Sequence, residues 1–69
     1  MKTSLRKLRY DKGLQRKFVA EKIGICGKHL NDIEVGKVNL TDNIASKLSN
    51  LYNVKLEEIR SMYEEGKNE

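Results

Sequence analysis

The chain of 69 residues contains no proline, no tryptophan, one cysteine and one histidine. The lone cysteine, Cys26, has no partner for an internal disulfide, which points to a reducing compartment, the cytoplasm. One cysteine and one histidine, His29, are too few ligands for a zinc-type site, so no metal is expected. No apolar run approaches the length of a membrane span and no secretory leader is visible. The sequon Asn39-Leu40-Thr41 is therefore read as a chance match. The sequence has no glycine-rich phosphate loop and no sign of paired carboxylates in a pocket, and a chain this short has no room for an ordinary substrate cavity. Neither enzymatic activity nor a cofactor is expected. No stretch alternates polar and apolar residues for long, which argues against a sheet. No internal repeat, linker or composition break divides the chain, so residues 1–69 are read as one domain.

Charge, by contrast, is plentiful. Fourteen Lys/Arg against ten Asp/Glu give a net +4, and the excess is unevenly placed. Residues 1–38 hold ten basic and four acidic side chains, and residues 39–69 hold four and six. The first part is thus +6 and the second −2. Clustered positive charge is what phosphate neutralisation requires of a nucleic-acid binder; taken alone, it is as well explained by a solvated basic surface.

Apolar spacing predicts five helices. The first runs from about Ser4 to Lys12, with Thr3 or Ser4 as its cap, Leu5 and Leu8 as its buried stripe and Gly13 closing it. The second runs from about Arg16 to Ile23, on Val19, Ala20 and Ile23. The third runs from about Gly27 to Val35, on Leu30 and Ile33. The fourth starts near Thr41 or Asp42 and ends at Tyr52. Its Ile44, Ala45, Leu48, Leu51 and Tyr52 keep the i, i+3, i+4, i+7 rule, and Asn53 is a left-handed stop. The fifth begins near Leu56 and carries Leu56, Ile59 and either Met62 or Tyr63, while residues 66–69 are expected to fray. The fold class is all-α. Helices two and three, joined by a tight turn at Gly24 with small Ala20 at their crossing, form a helix-turn-helix spanning residues 16–35. Gly27, Lys28, His29, Asn31 and Asp32 fall on the outward face of the third helix, a polar surface of the size that fits a major groove.

These residues resemble the Cro/C1-type (XRE-type) helix-turn-helix family of phage and bacterial repressors. The likeness rests on Leu5, Leu8, Arg9, Gly13, Leu14, the run Val19-Ala20-Glu21-Lys22-Ile23-Gly24-Ile25, and Leu30, Ile33, Glu34, Gly36, Lys37 and Asn39. It continues through Leu48, Leu51, Tyr52, Val54, Leu56, Glu58 and Ile59. The resemblance implies a five-helix bundle of the lambda-repressor-like DNA-binding type. It implies a sequence-specific transcriptional regulator, a repressor of a phage, plasmid or other mobile element, that binds a pseudo-palindromic operator in double-stranded DNA as a homodimer. A separate regulatory protein partner is a further expectation, since the chain carries no ligand-binding or protease domain. The rival reading is a protein-interaction module on the same fold, an antitoxin or an antirepressor-like partner.

By position in the family, Gly27, Lys28, His29, Asn31 and Asp32 are the residues that reach base edges. Lys28 can donate to guanine O6/N7, Asn31 can pair with adenine N6/N7, and Asp32 can accept from cytosine N4. Gly27 departs from the family's polar residue there and offers no side chain to read a base. Arg16 stands where the family carries glutamine, at the start of the second helix, where a phosphate is expected. Lys37 and Asn39 occupy the loop after the third helix, the other expected backbone clamp, and Lys17 is a weaker addition. Arg9 and Glu34 are implied to form a structural ion pair between the first and third helices. Cys26 stands where the family has a Ser or Thr cap. Redox sensing is one reading of a thiol at that place, and a small residue tolerated in a turn is the plainer one. Phe18 takes a usually polar position, either as a satellite of the core or as an exposed patch. The apolar residues between Leu51 and Tyr63 are the expected dimer surface.

Overall fold

The computed structural model describes residues 4–67, which form five helices and no strand. Helix α1 spans Leu5–Asp11, α2 Arg16–Ile23, α3 Gly27–Glu34, α4 Asp42–Tyr52 and α5 Leu56–Lys67. Several starts have a local cause. The Ser4 hydroxyl accepts from the Lys7 N–H at 3.2 Å and Thr41 Oγ1 accepts from the Ile44 N–H at 3.2 Å. Each satisfies an amide that the first helical turn leaves unpaired. Thr3, the alternative cap for α1, lies outside the described residues. Helix α5 opens with Glu57 and Glu58 in its first turn, which complements the positive end of the helix dipole. Between α2 and α3, Gly24 takes φ +79, a left-handed conformation that costs a glycine little. Asn53 ends α4 the same way, at φ 58.

The apolar stripes converge on one core. Leu5 of α1, Val19, Ala20 and Ile23 of α2, Leu30 and Ile33 of α3, Ala45, Leu48 and Tyr52 of α4, and Ile59 and Tyr63 of α5 are all buried. Ala20 and Ala45 are small enough to let their helices approach closely. Cross-links finish the assembly. Lys47 Nζ donates to the Ile23 carbonyl at 3.3 Å, satisfying an acceptor at the end of α2. The Tyr63 hydroxyl donates to the Val38 carbonyl at 2.7 Å, and Arg60 pairs with Asp42.

Two expectations are corrected here. Residues 66 and 67 do not fray: α5 continues through Gly66 to Lys67, and Gly66 is buried. A Cβ at Gly66 would collide with the backbone carbonyl of Glu34, so the absent side chain lets α5 lie directly on the end of α3. Residues 68 and 69 lie outside the described residues. The apolar excess between Leu51 and Tyr63 is also smaller than the pattern suggests. Ile59 and Tyr63 are spent on the core, while Leu51, Val54 and Met62 are half-buried against it and Leu56 stays exposed. Of the two alternatives, Met62 and Tyr63, Tyr63 is the one that enters the core.

Candidate nucleic-acid interface

A bidentate ion pair holds the first helix to the third. Arg9 Nε donates to Glu34 Oε2 at 2.8 Å and its Nη2 to Oε1 at 3.2 Å, with both residues buried. The third donor, Nη1, reaches the Leu14 carbonyl at 3.2 Å and so closes the α1–α2 loop. The hydrogen bonds to Glu34 outweigh burial and raise the Arg9 guanidinium above its usual range, so the cation is secure. Tyr52 packs in the same neighbourhood. Burial, reinforced by the Glu34 charge, pushes its phenol from 10.0 up to about 12, and its hydroxyl has no hydrogen-bond partner among the described residues. This buried frame fixes the orientation of α3.

On the outer side, the N-terminal ends of α2 and α3 face one another across an open groove lined by Gln15, Arg16, Lys17, Gly27, Lys28 and Asn31. Five of the expected contact residues thus share one surface. Along it the Asn31 side chain accepts from Arg16 Nη1 at 3.1 Å and from Arg6 Nη2 at 3.4 Å. Arg6 also lies 3.9 Å from Glu34 Oε1, linking the groove to the buried pair. Gly27 has open space where a Cβ would be, so no packing demand requires a glycine there.

Lys28 is extended into solvent, its side chain 85% exposed, and pairs with Asp32 at 3.4 Å one turn on. An exposed pair of this kind contributes little to stability. The Asp32 carbonyl accepts from the Lys37 N–H at 2.8 Å, which sets the turn after α3. His29 is exposed, and its N–H donates to Cys26 Sγ at 3.4 Å, so the thiol does occupy the cap position of α3. Lys37 and Asn39 are exposed but do not line the groove. Asn39 borders a separate depression with Leu40, Arg60, Tyr63, Glu64 and Lys67, beside α5. Phe18 is 43% exposed with Lys22 Nζ 5.4 Å from its ring centre, which makes it surface and not core.

Sequence reasoning missed Arg6. It reads as one more surface charge on α1, and only the placement of α1 against α3 brings it to Asn31. It missed Gln15 for a similar reason: its place before α2 marks a cap, yet its side chain makes no capping bond and lines the groove.

Comparison with known proteins agrees with this geometry. A helix-turn-helix family model matches residues 5–59. The chain belongs to the Cro/C1-type, or XRE-type, helix-turn-helix family and is a DNA-binding regulator of that type. No curated protein and no solved structure matches it. Among the described residues no helix is long and apolar enough to cross a membrane.

Proposed function

We propose that this DNA-binding regulator is a sequence-specific repressor of a phage, plasmid or other mobile element, acting in the cytoplasm as a homodimer on a pseudo-palindromic operator. The observation that carries the reading is the groove between the starts of α2 and α3, where Arg16, Lys17, Gly27, Lys28 and Asn31 share one open surface. In the proposal, α3 enters the major groove with Lys28, His29, Asn31 and Asp32 toward base edges, and Gly27 allows close backbone approach. Arg16, Lys17, Lys37 and Asn39 meet phosphates, which positions the helix without reading sequence. In the proposal residues 1–69 act as one domain, regulated by concentration, competition or a separate protein partner.

A gel shift against fragments of host and mobile-element DNA, repeated across salt concentrations, tests this reading. One retarded fragment that outcompetes bulk DNA, with affinity falling steeply as salt rises, is the expected result. Exposed Phe18 favours the rival, a protein-interaction module. Retention of no fragment above bulk DNA would select that rival.

A further inference from the structure

Asn31 lies in the proposed reading face and is held from two other helices. Its carboxamide faces Arg16 Nη1 at 3.1 Å and Arg6 Nη2 at 3.4 Å. Guanidinium nitrogens only donate, so the atom they both face has to be the oxygen, and the amide cannot be flipped. An amide oxygen has two acceptor sites, and both are filled. Nδ2 makes no hydrogen bond among the described residues, and Asn31 borders the open groove. On its other side Arg6 is steadied by Glu34, which Arg9 holds in turn. A chain of charges therefore runs from the buried pair to the surface amide.

We infer that Arg6 and Arg16 set Asn31 as a hydrogen-bond donor toward the major groove, so that it selects guanine in place of adenine. The inference rests on α3 reading a major groove, as proposed above. Bidentate pairing with adenine needs the carboxamide oxygen for N6–H and the nitrogen for N7. Here the oxygen is engaged. Guanine shows two acceptors side by side, N7 and O6, and a donor-only amide suits both. Adenine and cytosine each show an exocyclic amine that this amide cannot accept from. Arg6 is a positioning residue: it acts through Asn31. Arg16 has five N–H donors and spends one on Asn31, leaving others for a phosphate.

Two measurements test the inference. The first needs no DNA. In Asn31→Asp the new carboxyl sits between two guanidiniums, and a carboxyl-carbon NMR titration should place it below the usual value of about 3.9. Adding Arg6→Met should move it back toward that value. A carboxyl that titrates normally in Asn31→Asp would overturn the network. The second is selection of duplexes from a random pool. The wild type should enrich guanine over adenine by roughly tenfold at one position of the site. Asn31→Ala should flatten that position alone. Arg6→Met, which frees a lone pair of the oxygen, should raise adenine there, and Arg6→Lys should restore guanine in part. Adenine at the position that Asn31→Ala erases would overturn the inference and leave the DNA-reading proposal standing. A pool in which the wild type enriches nothing would overturn both.

Discussion

Glu34 shows how one side chain serves two ends. It is 2% exposed, and its burial is tolerable because Arg9 holds both carboxylate oxygens, with Arg6 3.9 Å from Oε1. Glu34→Ala leaves Arg9 buried and unpaired, and the expected cost is about 3–5 kcal/mol. In a domain of this size the Tm should fall by roughly 10 °C or more. Thermal unfolding by circular dichroism checks this, and unchanged melting with lost DNA binding would mark Glu34 as a contact residue instead. Tyr52 makes a second prediction. Its phenol is raised from 10.0 to about 12, so the fold favours the neutral form. The contribution is fully present below pH 10. Above it the unfolded chain releases this proton and the folded chain keeps it, so stability falls as pH climbs from about 10 to 12. Tyr52→Phe removes that part of the alkaline slope. It also removes a buried hydroxyl that has no partner among the described residues, so its Tm at neutral pH should be equal or higher. Denaturant melts of both proteins across that pH window decide it. Lys28, exposed on α3, belongs to the other kind of residue: Lys28→Ala should weaken operator binding by about 1–3 kcal/mol while barely changing affinity for random DNA. Lys37→Ala should weaken both alike.

At the level of elements, the helices that local chemistry specifies were legible in sequence. Helix α2 runs over the expected residues, and α4 ends at Tyr52 before a left-handed Asn53 because its apolar spacing and caps agree. The Arg9–Glu34 pair was implied by the family resemblance and is present, whereas the groove that brings Arg16 to Asn31 depends on how α2 packs on α3 and is written in neither helix alone. What stayed hidden depends on contacts distant in sequence. Gly66 looks like a helix breaker near a chain end, yet α5 runs through it because a missing Cβ lets the helix settle on the Glu34 carbonyl. Arg6 has no local signal at all; its partners are 25 residues or more away. The docking of α5 makes a direct prediction. Gly66→Ala improves helix propensity but drives a methyl into backbone, and overpacking of this kind costs about 1–3 kcal/mol. A Tm at or above wild type would show that the α3–α5 contact is looser than described.

For the whole molecule, size argues for pairing. The folded chain measures 28 × 24 × 23 Å, and recognition helices in successive major grooves stand about 34 Å apart. In the proposed dimer one copy covers one half-site, since few base contacts come from a domain this small. The proposed dimer draws on the apolar residues left over by the core, with exposed Leu56 flanked by half-buried Leu51, Val54 and Met62. Sedimentation at micromolar concentration should give twice the chain mass. Leu56→Asp should give a folded monomer, whereas Ile59→Asp, at 0% exposure, should not fold. A wild type that sediments as a monomer and binds one copy per operator would remove the dimer. Selection from a random duplex pool with the wild-type protein, followed by sequencing, decides whether two copies read one operator. A homodimeric repressor should yield a pseudo-palindrome whose half-sites are centred about 10 base pairs apart. A pool that stays random after repeated rounds, or that yields a single unpaired half-site, would contradict it.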